Sequence, residues 1–511
     1  MGKSNSALFI TNTLFNTGLK IISQIISFFI LPLFIKNLGA ELYGIWALTG
    51  IILGYMGILD MGFGSGITKY ISEAYAEKNI ERLKNVINTG VFLYFCIGFI
   101  ILLVCIFFNS QILHVFSIKP GNIQVGKNLL VIAGFFAVIR WPMKIINSAF
   151  KGLLKFKALS MLSTIQSIGS TIVMLYCVYA NWSIEKIAII YNITNFVLWL
   201  PLYFFMKKYI HGFSLGIRSI NLKIVKEIAP FSLGVFISQI ISMLSLQVDV
   251  IIIGIFLSMS AITAYSVASK LFYVSWGYVG LLCGAIWPTI FTASALDNKP
   301  LIKKMLKKGS KYIAMIASSM GYLGIVVSPL FIELWMGQEY VQYAIWSQVF
   351  MLVLLTGPGL TLASDIVMAS GKCREVNIVE TFKLLINLAI SISLIHILGM
   401  GGPILGTVIS RALLAIIVFP YFSKVIGIEW KVPFITVYKV VGSNLPAFLI
   451  FFLISKKIEA TWLGLILLST AMMITQYLTF YYFFFAMDEK RDLKMLLENF
   501  GIETMMRKIR W

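Results

Sequence analysis

The stretch Lys20–Gly66 reads KIISQIISFFILPLFIKNLGAELYGIWALTGIILGYMGILDMGFGSG and predicts two membrane-spanning helices joined by a tight turn, NLGAEL. Each predicted helix carries one deep charge, Lys20 on the first and Asp60 on the second. At about 1.5 Å of rise per residue, the two charges lie at a similar depth from the turn. Charge is costly inside the hydrocarbon, so the two side chains are predicted either to pair with each other or to serve transport.

The composition of the whole chain is that of an all-α polytopic membrane protein. Of its 511 residues, 59% are hydrophobic and 12% are charged, and the mean hydropathy is +0.90. Soluble domains do not sustain this balance. Since a span needs about 20 apolar residues, about 14 transmembrane helices are predicted. The candidate spans are residues 8–35, 43–68, 87–108, 128–150, 158–180, 186–206, 228–256, 261–292, 312–332, 343–369, 377–397, 402–422, 440–455 and 461–486.

The net charge of +21 is explained by the connections between spans rather than by nucleic-acid binding. Lys and Arg cluster in alternate connections, such as residues 69–84, 151–157 and 299–311, and in the tail at 490–510. This is the positive-inside pattern, with an added attraction to anionic membrane lipids. Both termini are therefore predicted to be cytoplasmic. The five cysteines form no CxxC pair and the three histidines lack metal-ligand spacing, so neither a metal nor a cofactor is predicted.

An internal duplication sets the predicted domains. ISQIIS occurs at Ile22–Ser27 and again at Ile237–Ser242, and GYMGIL at Gly54–Leu59 is echoed by GYVGLL at Gly277–Leu282. Repeats with an even number of spans share one orientation, so a pseudo-two-fold axis along the membrane normal is predicted, with substrate between the halves. The predicted domains are a six-helix bundle at 1–215, a second at 216–424, and two further helices with a cytoplasmic tail at 425–511.

Other charged residues inside the predicted spans are candidate site residues, because each costs about 2.5–3.5 kcal/mol near the bilayer centre. Asp249 and Lys270 share a depth across the second hairpin, where a structural ion pair and a functional site are equally expected. Arg140 and Lys144 lie four residues apart on one helix face, in a span without an acid. Arg411 is a single cation on the twelfth predicted span.

The two cations of the fourth span predict an anionic ligand. The alternatives are that a distant acid such as Asp60 serves them, or that Lys144 reaches the cytoplasm along its alkyl stem. Interruptions are also predicted at Leu59–Gly66, at Arg140-Trp141-Pro142 and at residues 356–359. Broken helices mark cavities and hinges in transporters, although the glycines equally suit close helix packing.

Two motifs carry a resemblance to a known family. The opening helix is followed by LGxExYG, which starts at Leu38, and then by LDMGFGSGITKYIS, which starts at Leu59. This order resembles Wzx-type polysaccharide flippases of the multidrug/oligosaccharidyl-lipid/polysaccharide exporter superfamily. The segment Val248–Leu271 is similar to their seventh and eighth helices. The resemblance covers the whole chain in span count and repeat layout, and it implies two lobes around a central cavity.

The resemblance implies transport of undecaprenyl-pyrophosphate-linked oligosaccharide from the cytoplasmic to the periplasmic leaflet of the bacterial inner membrane, driven by an ion gradient. The carried units would serve O-antigen, lipopolysaccharide or related polymers, with a polymerase and a chain-length regulator as further partners. The residues that would hold the pyrophosphate are Arg140, Lys144, Lys20, Lys270 and Arg411. Asp60 and Asp249 are the candidates for ion coupling.

Two rival functions make different demands on the same residues. A cation-coupled multidrug exporter of the same superfamily would favour acids and aromatic side chains in its site over unpaired Arg and Lys. A membrane glycosyltransferase or polymerase needs catalytic groups on sizeable outer loops, and the predicted outer connections are short. The cation excess therefore favours an anionic substrate, and the short outer connections favour a transporter rather than an enzyme.

Overall fold

The computed structural model describes residues 28, 30–60, 62–153, 155–210, 212–216, 219–295, 298–357 and 360–491. Across those ranges the chain forms helices and connections without strands, so the predicted all-α fold is confirmed. Within them, nine helices are long and apolar enough to cross a membrane, and one bent pair would make a tenth. The full count of about 14 spans and the pseudo-two-fold axis stay predictions.

The α-helices are labelled in chain order, and residues 30–38 form a further helical segment before the first of them. They are α1 Ala40–Tyr55, α2 Phe63–Ala76, α3 Ile80–Phe107, α4 Asn109–His114, α5 Ile123–Gly152, α6 Phe156–Tyr179, α7 Ile184–Tyr209, α8 Leu222–Phe256, α9 Met259–Ala295, α10 Lys299–Met336, α11 Ala344–Met351, α12 Val353–Thr356, α13 Leu360–Ala369, α14 Cys373–Leu398, α15 Gly401–Val425, α16 Lys431–Ser443, α17 Leu445–Ser455 and α18 Trp462–Phe483.

The chain divides into two compact units. The first unit is Met1–Ser266 with Cys373–Gly406, and the second is Val267–Lys372 with Thr407–Trp511. The predicted bundles at 1–215 and 216–424 rest on the sequence repeat and stay a prediction.

In the first unit, α3 and α5 pack against each other through small residues. A Cβ added at Gly98 of α3 would lie 2.8 Å from the carbonyl oxygen of Ala137 on α5. A Cβ added at Gly134 of α5 would lie 2.8 Å from the Cβ of Cys105 on α3. Without side chains at these two positions the backbones can approach closely, which is how helices associate in lipid. This seam fixes one face of α5 and leaves another face available to line a cavity.

The predicted break after Asp60 is confirmed. Helix α1 ends at Tyr55, a 3₁₀ turn covers Met56–Asp60, and α2 begins at Phe63. Gly62 has a φ of +76°, a left-handed conformation that glycine adopts without strain. The predicted second copy of this region differs, because Gly277–Leu282 lies inside the continuous helix α9.

The other two predicted interruptions have opposite outcomes. The break at residues 356–359 is confirmed, since α12 ends at Thr356 and α13 begins at Leu360. The segment Gln338–Thr356 is bent by 50° from Thr361–Ala369. The interruption predicted at Arg140-Trp141-Pro142 is wrong, because α5 runs from Ile123 to Gly152 with Pro142 inside it. A proline removes one backbone hydrogen bond, and neighbouring helices can hold a span together despite that loss.

The second unit is built around α10, which is 38 residues long. At 1.5 Å per residue that is about 57 Å, well beyond the roughly 30 Å of a bilayer core. In the first half of α10, Lys311 donates to Glu489 Oε2 at 2.6 Å, and Tyr312 donates to Glu489 Oε1 at 2.7 Å. Glu489 is 7% exposed. The residues that follow α18 are thereby held against α10 by a buried ion pair.

Candidate functional site

The first unit contains a cavity of about 190 Å³ between α1, α5 and α7. Each helix contributes residues spaced three or four apart, which places them on one face. The residues that matter below are Trp46, Thr49 and Gly50 from α1, Ala133 and Arg140 from α5, and Ala188, Tyr191 and Asn192 from α7. Of the predicted site residues, Arg140 is the one that lines this cavity.

Arg140 has little of its hydrogen-bonding capacity satisfied within the chain. Its Nη1 donates to Asn192 Oδ1 at 3.3 Å, which is its one side-chain hydrogen bond among the described residues. A guanidinium carries five N–H donors and no acceptor. In the described ranges no carboxylate oxygen lies within 4.0 Å of the Arg140 nitrogens. The cavity is therefore lined by an exposed cation with donors that the described chain leaves unused.

Asp60 is held by its own neighbours. Its Oδ1 accepts the backbone N–H of Gly64 at 3.1 Å and also the hydroxyl of Tyr94. Tyr94 is 1% exposed and packs in the core of the first unit. The predicted partner Lys20 lies outside the described residues, so the Lys20–Asp60 pair stays a prediction.

Lys144 lies one helical turn after Arg140 and beside the Asp60 cluster. Its Nζ is 3.7 Å from the ring centroid of Trp141, a cation–π contact. Trp141 packs against Tyr94, with the ring centroids 5.7 Å apart. Asp60 is among the charged groups that act on Lys144, but within the described part of the chain no acid lies within 4.0 Å of it. Asp60 is therefore a distant counter-charge of Lys144 rather than an ion-pair partner.

The remaining predicted site residues do not line this cavity. Asp249 on α8 is 5% exposed, and its Oδ2 accepts the hydroxyl of Tyr265 at 3.1 Å. Lys270 on α9 belongs to the second unit, so its pairing with Asp249 stays a prediction. Arg411 on α15 places its guanidinium carbon 4.8 Å from the ring centroid of Trp276.

Several residues that line the cavity or hold Asp60 carry no prediction from the sequence. Asn192 is a polar amide inside an apolar span, and that was a usable signal, because such a group needs a partner in lipid. Trp46, Tyr191 and Tyr94 gave no comparable signal, since aromatic side chains are common in spans. Their role depends on which helices meet, and spacing along one helix does not show that.

The family described as "Polysaccharide biosynthesis protein" matches residues 9–294, which is more than half of the chain. The chain belongs to this family. Membership confirms the resemblance indicated by the LGxExYG and LDMGFGSGITKYIS motifs. A related protein of Salmonella typhi, provisionally named an O-antigen transporter, is 27% identical over 275 residues. That match covers 50% of this chain and 58% of the relative, less than two thirds of its length.

Solved structures extend the likeness to nearly the whole fold. The lipid II flippase MurJ in an inward closed conformation matches with a TM-score of 0.74 and 16% identity, covering 92% of this chain and 99% of that one. An inward-facing multidrug resistance transporter of the MATE family matches with a TM-score of 0.64 and 14% identity, covering 79% and 94%. At these identities the likeness shows the fold. This polysaccharide biosynthesis family member is therefore a multi-pass membrane protein, and it has the fold of MurJ and of the MATE transporter.

Proposed function

We propose that the protein is a flippase that moves undecaprenyl-pyrophosphate-linked oligosaccharide repeat units from the cytoplasmic to the periplasmic leaflet, for O-antigen or a related polysaccharide. The observation that carries this proposal is Arg140, a cavity-lining cation with one of its five donors satisfied by Asn192. A charge in a membrane protein that lacks an internal partner marks a substrate or ion pathway. Membership of the polysaccharide biosynthesis family supports a sugar-containing substrate.

A pyrophosphate matches the arrangement of the cations. A guanidinium binds phosphate oxygens in a bidentate manner, whereas a lysine acts as a point charge. Arg140 lines the cavity and would hold the phosphates, and Lys144, one turn along the same helix and over the ring of Trp141, would add positive charge beside it. The lipid tail would remain in the bilayer while the sugars cross by alternating access.

The transport cycle would be coupled to an ion gradient through Asp60 or Asp249. We place the protein in the bacterial inner membrane with both termini cytoplasmic, which the distribution of Lys and Arg supports. A polymerase and a chain-length regulator are its expected partners. Among the rivals, a cation-coupled multidrug exporter fits the cavity less well, because an organic cation would meet the charge of Arg140. Transport rather than catalysis agrees with the exporter fold.

The test is complementation of a strain that lacks this gene, with surface polysaccharide and membrane protein level measured together. Arg140→Ala should abolish surface polysaccharide while the protein remains in the membrane, and Arg140→Lys should retain part of the activity because the charge survives. Lys127→Ala is the matched control, since Lys127 is a cation on the same helix that does not line the cavity. Normal polymer from Arg140→Ala would refute the pyrophosphate site.

A further inference from the structure

Arg140 and Lys144 are like charges one turn apart on α5, an arrangement that destabilises a helix unless an opposite charge lies near. Among the described residues no acid lies within 4.0 Å of either cation. The charges that act on Lys144 are those of Asp60, which attracts it, and Arg140, which repels it. Within the described chain, Asp60 is therefore the counter-charge of Lys144.

Asp60 and Lys144 are each held by an aromatic side chain. Tyr94 donates its hydroxyl to Asp60 Oδ1, which also accepts the backbone N–H of Gly64. Asp60 Oδ2 accepts no hydrogen bond among the described residues. The ammonium of Lys144 lies over the ring of Trp141, and that ring packs against the ring of Tyr94. The two opposite charges are thus held apart, and since Asp60 is half-buried and Lys144 is exposed, neither is closed off from a ligand.

Asp60 also lies at the break between α1 and α2. It is the last residue of the 3₁₀ turn Met56–Asp60, and by accepting from Gly64 it holds the first turn of α2. The start of α2 packs closely against α8, since a Cβ added at Gly62 would overlap the carbonyl oxygen of Ser232. A movement of the Asp60 carboxylate would therefore displace the start of α2 at its contact with α8.

We propose that Asp60 is an internal competitor of the substrate anion for Lys144. With no anion bound, the Asp60 carboxylate neutralises Lys144. A pyrophosphate held by Arg140 brings negative charge beside Lys144 and takes over that role, which leaves Asp60 without a counter-charge at the start of α2. On release the carboxylate regains Lys144, and this keeps binding weak enough for the substrate to leave. The proposal rests on the proposed flippase function and describes how that site is regulated.

The first test measures how the full-length protein in phosphatidylcholine nanodiscs binds farnesyl pyrophosphate, with farnesol as the uncharged comparison. Asp60→Asn removes the competing charge but keeps a side-chain oxygen that can accept from Gly64 and Tyr94. The variant should bind farnesyl pyrophosphate about tenfold more tightly than the wild type, which corresponds to about 1.4 kcal/mol. Its binding of farnesol should not change. In a complemented strain it should make less surface polysaccharide, because the substrate is released more slowly.

Tyr94→Phe should have the opposite effect on binding. The variant keeps the ring against Trp141 but loses the hydroxyl that holds the carboxylate. Asp60 then moves closer to Lys144, and the affinity for farnesyl pyrophosphate should fall severalfold. The double variant Asp60→Asn/Tyr94→Phe should bind as tightly as Asp60→Asn alone, because Tyr94 acts on the site through the charge of Asp60. A purely structural role would instead weaken binding in both single variants.

Glu81→Gln is the matched control. Glu81 is an exposed acid in the first turn of α3, the helix that carries Tyr94, and it does not line the cavity. Its replacement changes the net charge by the same amount as Asp60→Asn does, and it should leave the affinity for farnesyl pyrophosphate unchanged. The Tm of every variant is measured in the same nanodiscs, so that affinities are compared between folded proteins.

The outcomes separate this proposal from the proposed function. If Asp60→Asn binds farnesyl pyrophosphate as the wild type does, or more weakly, Asp60 does not compete with the anion and the flippase function stands. If Tyr94→Phe weakens binding equally in the Asp60→Asn background, Tyr94 does not act through the charge of Asp60 and that step is wrong. If Arg140→Ala binds farnesyl pyrophosphate as tightly as the wild type, the pyrophosphate site and the proposed function fail first.

Discussion

Two clusters of charge in this protein differ in how far the chain satisfies them. In the second unit, Glu489 accepts from Lys311, from Tyr312 and from the backbone N–H of Ala486 at 3.0 Å, so its carboxylate is enclosed by donors. In the first unit, Arg140 donates to one amide oxygen, that of Asn192. The hydrogen bonding of Glu489 is complete without a ligand, whereas that of Arg140 is not.

The difference separates a charge that the chain itself satisfies from a charge that the proposed function assigns to substrate binding. In a buried ion pair with full hydrogen bonding each charge compensates the other, and losing one partner leaves the other uncompensated. An arginine with several unused donors in a cavity lacks a complementary charge within the described chain, and under the proposed function the substrate supplies it. Both clusters contain a charged side chain inside the protein. They differ in how many of the hydrogen bonds of that charged group are made within the chain.

Glu489→Gln should have the largest effect on stability. The variant keeps the size of the side chain but removes the negative charge, and Lys311, whose side chain is 12% exposed, loses its counter-ion. Breaking such a pair costs about 3 kcal/mol, which thermal unfolding in detergent should show as a clear fall in Tm. Surface polysaccharide should persist at a temperature where the variant stays folded.

The matched control is Asp488→Asn, one residue earlier. Asp488 contacts Lys308 at 3.1 Å, but its side chain is 56% exposed, and exposed pairs contribute about 0–1 kcal/mol. If Glu489→Gln abolished transport at normal stability and protein level, Glu489 would have a functional role, and the contrast with Arg140 would collapse.

A smaller effect should distinguish the tight seam of the first unit from its open cavity. Gly98→Ala would place a Cβ 2.8 Å from a backbone carbonyl oxygen of α5, and overpacking of this kind costs about 1–3 kcal/mol. Gly50→Ala meets no atom within 4 Å, and alanine in a helix interior is about 0.5–1 kcal/mol better than glycine. The Tm should therefore fall for Gly98→Ala and stay level or rise for Gly50→Ala. Equal shifts would contradict the difference in packing.

The sequence predicts which charged residues lie within the spans, but not which side chains they contact. Charges in apolar spans are visible because their cost in lipid is independent of tertiary structure, and this is how Arg140, Lys144 and Asp60 were selected. The break after Asp60 was predictable from glycines that allow a left-handed backbone. The continuity of α5 through Pro142 was not, because tertiary packing decides whether a proline interrupts a span.

Contacts between helices were the part that the sequence could not supply. Depth matching placed Asp60 level with Lys20, yet in the described structure its carboxylate is held by Tyr94, 34 positions along the chain, and by Gly64. Trp46, Arg140 and Tyr191 come from three helices that meet at one cavity. The periodicity of a helix shows which of its residues share a face, but not which face of another helix it meets.

The smallest predicted effect is a pH dependence confined to the satisfied cluster. Burial alone would raise the pKa of Glu489, but hydrogen bonds from Lys311, Tyr312 and Ala486 lower it to about 2 from its usual 4.5. A lowered pKa in the folded state means that the stabilisation is complete above pH 4.5 and is lost as the pH falls toward 2. Between pH 7 and pH 4 the loss should be about 1 kcal/mol. The Tm difference between wild type and Glu489→Gln, measured in the same detergent, should therefore shrink slightly at pH 4 and further at pH 3. A difference that stayed constant down to pH 3 would show that the charge of Glu489 is not what holds the segment after α18 against α10.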